Sequence, residues 1–128
     1  MVEYSKNKKI YNKIIWIKYT EEVISHIQKW DLFCLTSQYE GFGLVLLEAI
    51  YAGTPVLAMQ TSSIKEIIGP CGEIVKVGDI DTFSRKISRV IKNKKNYVNK
   101  EYINKYSFKK NIIKHNDIYS NLSKAKNK

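Results

Sequence analysis

Residues 31–59 read DLFCLTSQYEGFGLVLLEAIYAGTPVLAM, and this stretch decides the fold. Its first run, 31–37, is nearly continuously apolar, too short for a helix and without alternation, as is typical of a strand covered on both faces. A glycine-bearing loop then leads into a predicted helix over about 42–52, which Gly53 ends, and a second strand follows at 56–59. The order strand, helix, strand predicts parallel strands in an α/β sheet.

The upstream sequence predicts one more strand and one more helix. KIIWIKY at 13–19 is a β-branched and aromatic run of the kind found in strands. Thr20 follows it as the predicted N-cap of a short helix, because two acidic residues come next, where the first turn would lie. The first dozen residues have the composition of a linker.

The downstream sequence continues the alternation. We expect a short helix near 63–68, a strand at 73–77 and a helix over roughly 81–92 that Asp79 or Asp81 caps. Apolar residues then recur at helical spacing between Lys and Asn, which predicts two or three amphipathic helices at the end of the chain.

The chain has 128 residues, of which 44% are apolar, so it can bury one modest core and is too short for a two-domain enzyme. We expect a basic segment at 1–12, one domain at 13–122 and a basic tail at 123–128. With about four strands, the predicted sheet is small and parallel.

The net charge of +10 is concentrated in the ends. Residues 1–20 carry +4 and residues 92–128 carry +9, whereas the part between them carries −3. The basic residues are almost all Lys, and Arg85 and Arg89 are the two Arg of the sequence. Because phosphate and guanine are recognised best by the planar guanidinium group, nucleic acid is not an expected partner.

The two cysteines do not indicate a disulfide framework, since Cys34 and Cys71 are far apart and Cys34 lies in an apolar run. No apolar stretch reaches the ~18 residues of a membrane span, and no apolar region follows the basic N-terminus as in a signal peptide. The expected compartment is the cytosol.

The loop at 38–43 is the expected ligand site, because ligands of open parallel sheets bind beyond the carboxyl ends of the strands. Gly41 and Gly43 remove side chains where the helix begins. The free amides of residues 42–45 could therefore approach an anion such as a diphosphate.

Two carboxylates flank these amides. Glu40 precedes the helix, and Glu48 lies one turn beyond Leu44 on the same face, so both could contact parts of one extended ligand. Glu48 is also the only charged residue in a helix that is otherwise apolar, where an ionised carboxylate needs a partner. Two sugar hydroxyls are one such partner; a backbone amide or a Lys is the alternative.

Three segments together resemble the signature of retaining glycosyltransferases of family 4, which have the GT-B fold. They are Ser37, EGFGLVLLEA at 40–49 and GTPV at 53–56, and the diagnostic pair of glutamates separated by seven residues is met by Glu40 and Glu48. The resemblance implies a partial Rossmann-like domain, corresponding to half of the second GT-B domain.

The resemblance also implies roles for single residues. The catalytic-site glutamate at the donor sugar would be Glu40. Phe42, Gly43 and Leu44 would offer backbone amides to the sugar and the diphosphate, and Glu48 would hold the ribose hydroxyls.

The resemblance runs from about residue 14 to residue 81, and SSIKEIIG carries a further family glutamate at Glu66. It places the nucleotide base near Lys18 and Tyr19, although the family usually has Gly where Lys18 stands and often Pro where Val45 stands. The family's Gly-Arg and Lys phosphate clamp and its acceptor domain have no counterpart in the sequence. The lysines of the basic N-terminus, Lys6, Lys8 and Lys9, do not reproduce the clamp.

The implied activity is transfer of a glycosyl group from a nucleotide sugar to an acceptor hydroxyl with retention, in cell-envelope or polysaccharide synthesis. No metal and no other cofactor is expected, because amides and basic groups would neutralise the leaving diphosphate. The expected partners are the nucleotide sugar and a separately encoded N-terminal domain or a second copy of the chain. The alternative is a truncated, non-catalytic remnant or a subunit that binds such a partner.

The Lys-rich terminal helices have two interpretations. Their aromatic residues could sit on anionic lipid at the inner face of a membrane, or their apolar stripe could pack on the sheet while the Lys face is solvated. The aromatic residues concerned are Tyr102, Tyr106, Phe108 and Tyr119.

Overall fold

Three short parallel strands form the sheet of the computed structural model, which describes residues 2–61 and 64–106. The strands are β1 (Phe33–Leu35), β2 (Val56–Met59) and β3 (Gly72–Val75), and they lie in the order β1-β2-β3. Both pairings are parallel, with Leu57 of β2 opposite Cys34 and Glu73. The predicted α/β class with a small parallel sheet is thus confirmed.

Helices connect and follow the strands. In chain order they are α1 (Val2–Asn7), α2 (Val23–Ile27), α3 (Leu44–Tyr51), α4 (Ile64–Ile68), α5 (Ile80–Lys92), α6 (Lys94–Tyr97) and α7 (Lys100–Ile103). Short 3-10 turns lie at Tyr11–Lys13, Gly69–Cys71 and Asn104–Tyr106. The strand and helix predictions between residues 31 and 92 are therefore confirmed in type and order, with ends that differ by a few residues.

The expected strand at 13–19 is wrong. Those residues contain the end of a 3-10 turn and then extended chain that pairs with no strand within the described residues. Ile15 and Tyr19 are 89% and 83% exposed. An apolar β-branched run becomes a strand only when its backbone groups find a neighbouring strand, so propensity alone did not decide the structure.

The predicted N-cap of α2 is also wrong. The hydroxyl oxygen of Thr20 accepts a hydrogen bond from the backbone N–H of Glu22 at 3.0 Å, but Glu22 itself occupies the N-cap position. Thr20 thus forms a turn before the helix, a competing local bond that Ser and Thr side chains often make.

The two faces of the sheet are covered unequally. Side chains alternate along a strand, so Val56 and Ala58 pack with α3 and α4 in the larger core cluster, while Leu57 points to the other face. There Leu57 packs with Phe83 of α5. Cys34 lies on that same face but is exposed, which corrects the prediction that its strand is covered on both faces.

The long helix α5 is held at both ends by side chains. Asp79 accepts a hydrogen bond from the N–H of Thr82 at 3.0 Å, which settles the predicted choice between two capping aspartates. Further along, Arg89 donates to the carboxylate of Glu73 on β3, and Lys86 lies 3.0 Å from the same carboxylate. These bonds position α5 across β3.

The two ends of the chain contain more structure than the composition indicated. The first dozen residues include α1, whose Ser5 is buried and donates to the carbonyl of Val2 at 2.6 Å. At the other end, the predicted amphipathic helices begin with α6 and α7, whereas Phe108, Tyr119 and the tail at 123–128 lie outside the described residues. In the part of the chain that is described, no helix is long and apolar enough to cross a membrane.

Candidate functional site

The loops after the three strands meet at the carboxyl edge of the sheet, where the sequence predicted the site. Two cavities lie there, and Thr61, just after β2, lines both. The first has a volume of 540 Å³ and is lined by Gln38, Tyr39, Glu40, Gly41 and Thr61. The second has a volume of 550 Å³ and is lined by Gln60, Thr61, Lys65, Lys76 and Val77.

The helix α3 begins at a left-handed glycine. Gly43 has a φ of 70° and occupies the N-cap position, so α3 starts at Leu44 rather than at the predicted residue 42. A Cβ at Gly43 would lie 3.1 Å from Leu46 Cδ1 and 3.4 Å from Glu40 Cγ. The position therefore requires a residue that adopts a positive φ and has no Cβ, and only glycine does both without strain.

The first turn of α3 offers backbone donors. The first bond of the turn runs from Leu46 N to the carbonyl of Gly43 at 2.9 Å. The amides of Leu44 and Val45 precede it, and neither donates a hydrogen bond to another described residue. Since α3 has eight residues, its N-terminus carries the partial positive charge that favours an anion.

The two glutamates of the signature line different cavities. Glu40 lines the cavity beside Thr61, whereas Glu48 lines a third cavity of 340 Å³ between α2, α3 and the turn that follows α7. The other residues of that cavity are mostly apolar: Ile24, Leu47, Tyr51, Ile103, Asn104 and Tyr106. A ligand that reaches both carboxylates would have to run along the first turns of α3, about 6 Å from Leu44 to Glu48 along the axis.

Neither glutamate has a protein partner in the described part of the chain. Glu48 and Glu40 are half-buried, and no hydrogen bond or ion pair of either carboxylate with another described residue is present. The Lys or backbone partner considered for Glu48 is therefore not observed among residues 2–61 and 64–106. A half-buried carboxylate of this kind remains available to hydroxyl or amide donors of a ligand.

The remaining predicted site residues lie at varying distances from this edge. Phe42 and Leu44 are 52% and 67% exposed beside the first cavity's loop. Lys18 and Tyr19 line neither the cavity of Glu40 nor that of Glu48. Their assignment to a nucleotide base stays a prediction.

The family glutamate Glu66 contacts residues near the C-terminal end of the described chain. Its carbonyl accepts hydrogen bonds from the hydroxyls of Tyr102 and Tyr106, the latter at 2.9 Å, and its carboxylate lies 3.5 Å from the ammonium of Lys105. Tyr102 also packs against the larger core cluster. These two tyrosine rings therefore lie against α4.

Sequence reasoning missed three residues at the carboxyl edge: Thr61, Lys65 and Lys76. The rule that identified the loop after β1 applies equally to the residues after β2 and β3, and would have found two of them. The sequence does not show which polar side chains become buried. In the structure the hydroxyl of Thr61 is buried and has no hydrogen-bond partner among the described residues. No group of three or more His, Cys, Asp or Glu is placed to hold a metal ion in that same part of the chain.

Comparisons with known proteins agree with this architecture. The chain is 31% identical over 74 residues to MMP alpha-(1->4)-mannosyltransferase of Mycolicibacterium hassiacum, covering 56% of this chain and 18% of that protein. It is 33% identical over 81 residues to O-antigen chain mannosyltransferase B of Escherichia coli, covering 56% of this chain and 20% of that protein. The chain thus spans about a fifth of the length of these relatives.

A solved structure supports the fold. The crystal structure of TarM matches 91% of this chain and 25% of its own, with a TM-score of 0.77 and 22% sequence identity. The predicted likeness to part of a GT-B glycosyltransferase fold is confirmed by this match. The family model described as "Glycosyl transferases group 1" matches residues 1–114. With nearly the whole chain matched in sequence and in fold, this protein belongs to the glycosyl transferases group 1 family.

Proposed function

We propose that this chain forms the donor-binding part of a retaining glycosyltransferase of family 4. The reaction is transfer of a glycosyl group from a nucleotide sugar to an acceptor hydroxyl, in cell-envelope or polysaccharide synthesis. The similarity of the chain to two mannosyltransferases, one of which is named for the O-antigen chain, supports this class of reaction. Because the chain spans about a fifth of those relatives, residues from a further domain complete the reaction centre.

The observation that carries the proposal is the start of α3 at Gly43. It leaves the amides of Leu44 and Val45 without a partner among the described residues, at the positive end of an eight-residue helix. An anionic diphosphate is the ligand that such an end stabilises best, and as a leaving group it gains negative charge during transfer. In this proposal Glu40 lies at the donor sugar and Glu48 accepts hydrogen bonds from the ribose hydroxyls.

Titration with nucleotides tests the donor site directly. UDP, GDP and ADP are added to the full chain, and binding is measured by calorimetry and by NMR. We expect saturable binding of one of the three. Glu48→Gln should weaken it at least tenfold, since a pair of hydrogen bonds to a charged acceptor contributes about 1.5–3 kcal/mol.

Glu21→Gln is the matched control, because Glu21 is exposed and lines none of the three cavities. It should bind the nucleotide as the wild type does. Circular dichroism of each variant separates loss of binding from loss of folding. A folded wild-type chain that binds none of the three nucleotides would contradict the proposal.

Exposed apolar side chains support a second candidate, a subunit that binds a separately supplied glycosyltransferase domain. Tyr39, Leu44 and Tyr51 are 92%, 67% and 64% exposed. Contiguous exposed apolar surface is typical of protein contacts. Light scattering of the chain alone and with such a domain tests it: a stable complex supports this candidate, whereas a homodimer or a monomer in both samples contradicts it.

A further inference from the structure

The hydroxyl of Thr61 has no hydrogen-bond partner within the described residues, although its oxygen is buried. Buried polar atoms nearly always have a hydrogen-bond partner, and one without a partner lowers the stability of the fold. Thr61 lines both cavities of the carboxyl edge. A ligand atom that reaches this junction would supply the missing partner.

The position of Thr61 is held by the sheet. The N–H of Gln60 donates to the carbonyl of Val75 at 2.7 Å, so pairing continues one residue past the end of β2. This bond brings Thr61 and Lys76 to the same edge from two neighbouring strands. The arrangement therefore depends on backbone pairing rather than on flexible loops.

Two lysines from different elements line the second cavity with Thr61. Lys65 belongs to α4 and Lys76 follows β3. Neither ammonium forms a salt bridge with an acidic residue in the described part of the chain. The carboxylate of Asp79 accepts a hydrogen bond from the N–H of Thr82, which lowers its pKa, and the positive charge of Lys76 adds a smaller effect in the same direction.

We propose that Thr61, Lys65 and Lys76 form a binding subsite for a phosphate group in the 550 Å³ cavity at the carboxyl ends of β2 and β3. The hydroxyl of Thr61 donates to a phosphate oxygen, and the two ammonium groups balance the negative charge. The opposite end of the same edge carries Glu40. A substrate with one phosphorylated end and one sugar end would match this distribution of charge.

The phosphate belongs either to the nucleotide-sugar donor or to a phosphorylated acceptor. The subsite itself does not depend on the donor-site proposal; only the naming of its substrate rests on it. The two proposals also use different residues. They can therefore fail separately.

The test is titration of the full chain with inorganic pyrophosphate at low ionic strength, followed by NMR. Lys65→Gln and Lys76→Gln should each weaken binding about tenfold, the effect of losing one charge-assisted hydrogen bond. Lys29→Gln is the matched control, an exposed lysine outside the three cavities, and should bind as the wild type does.

Thr61→Val should change the stability of the protein and its affinity for pyrophosphate in opposite directions. It removes a hydroxyl that has no hydrogen-bond partner among the described residues, so the melting temperature without ligand should rise while the affinity for pyrophosphate falls. Wild-type affinity in both lysine variants would overturn the proposal. So would a Thr61→Val variant that melts lower and binds unchanged, because the hydroxyl would then have a protein partner.

Competition identifies the source of the phosphate. Displacement of pyrophosphate by UDP, GDP or ADP assigns the subsite to the donor, and displacement by glucose 6-phosphate alone assigns it to an acceptor; either supports the subsite. Lysine-dependent pyrophosphate binding without any nucleotide binding would sink the proposed donor site and leave the subsite standing. Nucleotide binding that needs Glu48 but neither lysine, with no pyrophosphate binding, would do the reverse.

Discussion

The Cγ of Glu40 lies 3.4 Å from the position that a Cβ on Gly43 would occupy. Gly43 also has a φ of 70°, a conformation that costs L-residues about 1–2 kcal/mol. The glycine therefore shapes the loop in two ways: it turns the chain into α3 and leaves room for the glutamate beside it. Both effects can be separated by experiment, because Gly78 shares only the positive φ and Gly41 shares neither feature.

Replacing Gly43 with alanine should lower the free energy of unfolding by about 2 kcal/mol, from the strained φ and the contact with Leu46 Cδ1 at 3.1 Å. It should also weaken nucleotide binding, because strain at Gly43 disturbs the start of α3 and the loop that carries Glu40. Gly78→Ala, with a φ of 86° and open space, should cost about 1 kcal/mol. Gly41→Ala has open space and no positive φ, so a change beyond about 0.5 kcal/mol by urea denaturation would contradict this account.

Gly69 and Tyr102 should be energetically coupled. A Cβ at Gly69 would overlap the tip of the Tyr102 ring, whose hydroxyl donates to the carbonyl of Glu66. Gly69→Ala should therefore cost about 2–3 kcal/mol, since the ring cannot move without losing that bond and its core packing. In a double-mutant cycle with Tyr102→Ala, the same substitution should cost less; equal costs in both backgrounds would show that the ring is not displaced.

The stability of the protein should fall in acid as Glu73 is protonated. Burial would raise the pKa of Glu73, but hydrogen bonds from Arg89, Tyr97 and Lys86 outweigh it and lower the pKa from 4.5 to about 2. Because the folded pKa lies below the unfolded one, this stabilisation is complete above pH 4.5 and is lost as the pH falls through 2.

Glu73→Gln should lower the free energy of unfolding at pH 7 by about 2 kcal/mol and flatten its decline between pH 4.5 and 2. Chemical denaturation at a series of pH values measures both effects. Glu21→Gln, an exposed glutamate, is the control and should follow the wild-type curve. A Glu73→Gln variant with the wild-type acid dependence would refute the assignment.

The threonine of GTPV should stabilise the fold through one buried hydrogen bond. Thr54 is 2% exposed, and its hydroxyl donates to the carbonyl of Ile27 at the end of α2 at 2.8 Å. That carbonyl keeps a second donor, the N–H of Trp30, so Thr54→Val should cost about 1 kcal/mol rather than the larger penalty of an orphaned acceptor. Thr54→Ser keeps the hydroxyl, and thermal unfolding should rank it above Thr54→Val if the bond matters more than the methyl group.

The parts of the fold that are local in sequence were predictable. The order strand, helix and strand over 31–59 could be predicted because it depends on the length of apolar runs and on the position of glycines, which are properties of neighbouring residues. The cap of α5 by Asp79 was predictable for the same reason, since donor and acceptor are three residues apart. The family signature likewise identified the loop that lies at the carboxyl edge of the sheet.

Tertiary structure decided what depends on distant residues. KIIWIKY has the composition of a strand but pairs with none in the described chain, because pairing requires a neighbour that no local pattern can supply. Glu40 and Glu48 are close in sequence yet line different cavities, because α2 and the turn after α7 enclose only the second. The sequence by itself determined the order of strands and helices between residues 31 and 92, the cap of α5 and the glutamate pair. The packing of separate elements decided which side chains share a cavity. It alone brought Thr61, Lys65 and Lys76 together, because burial and juxtaposition arise only when the strands pair.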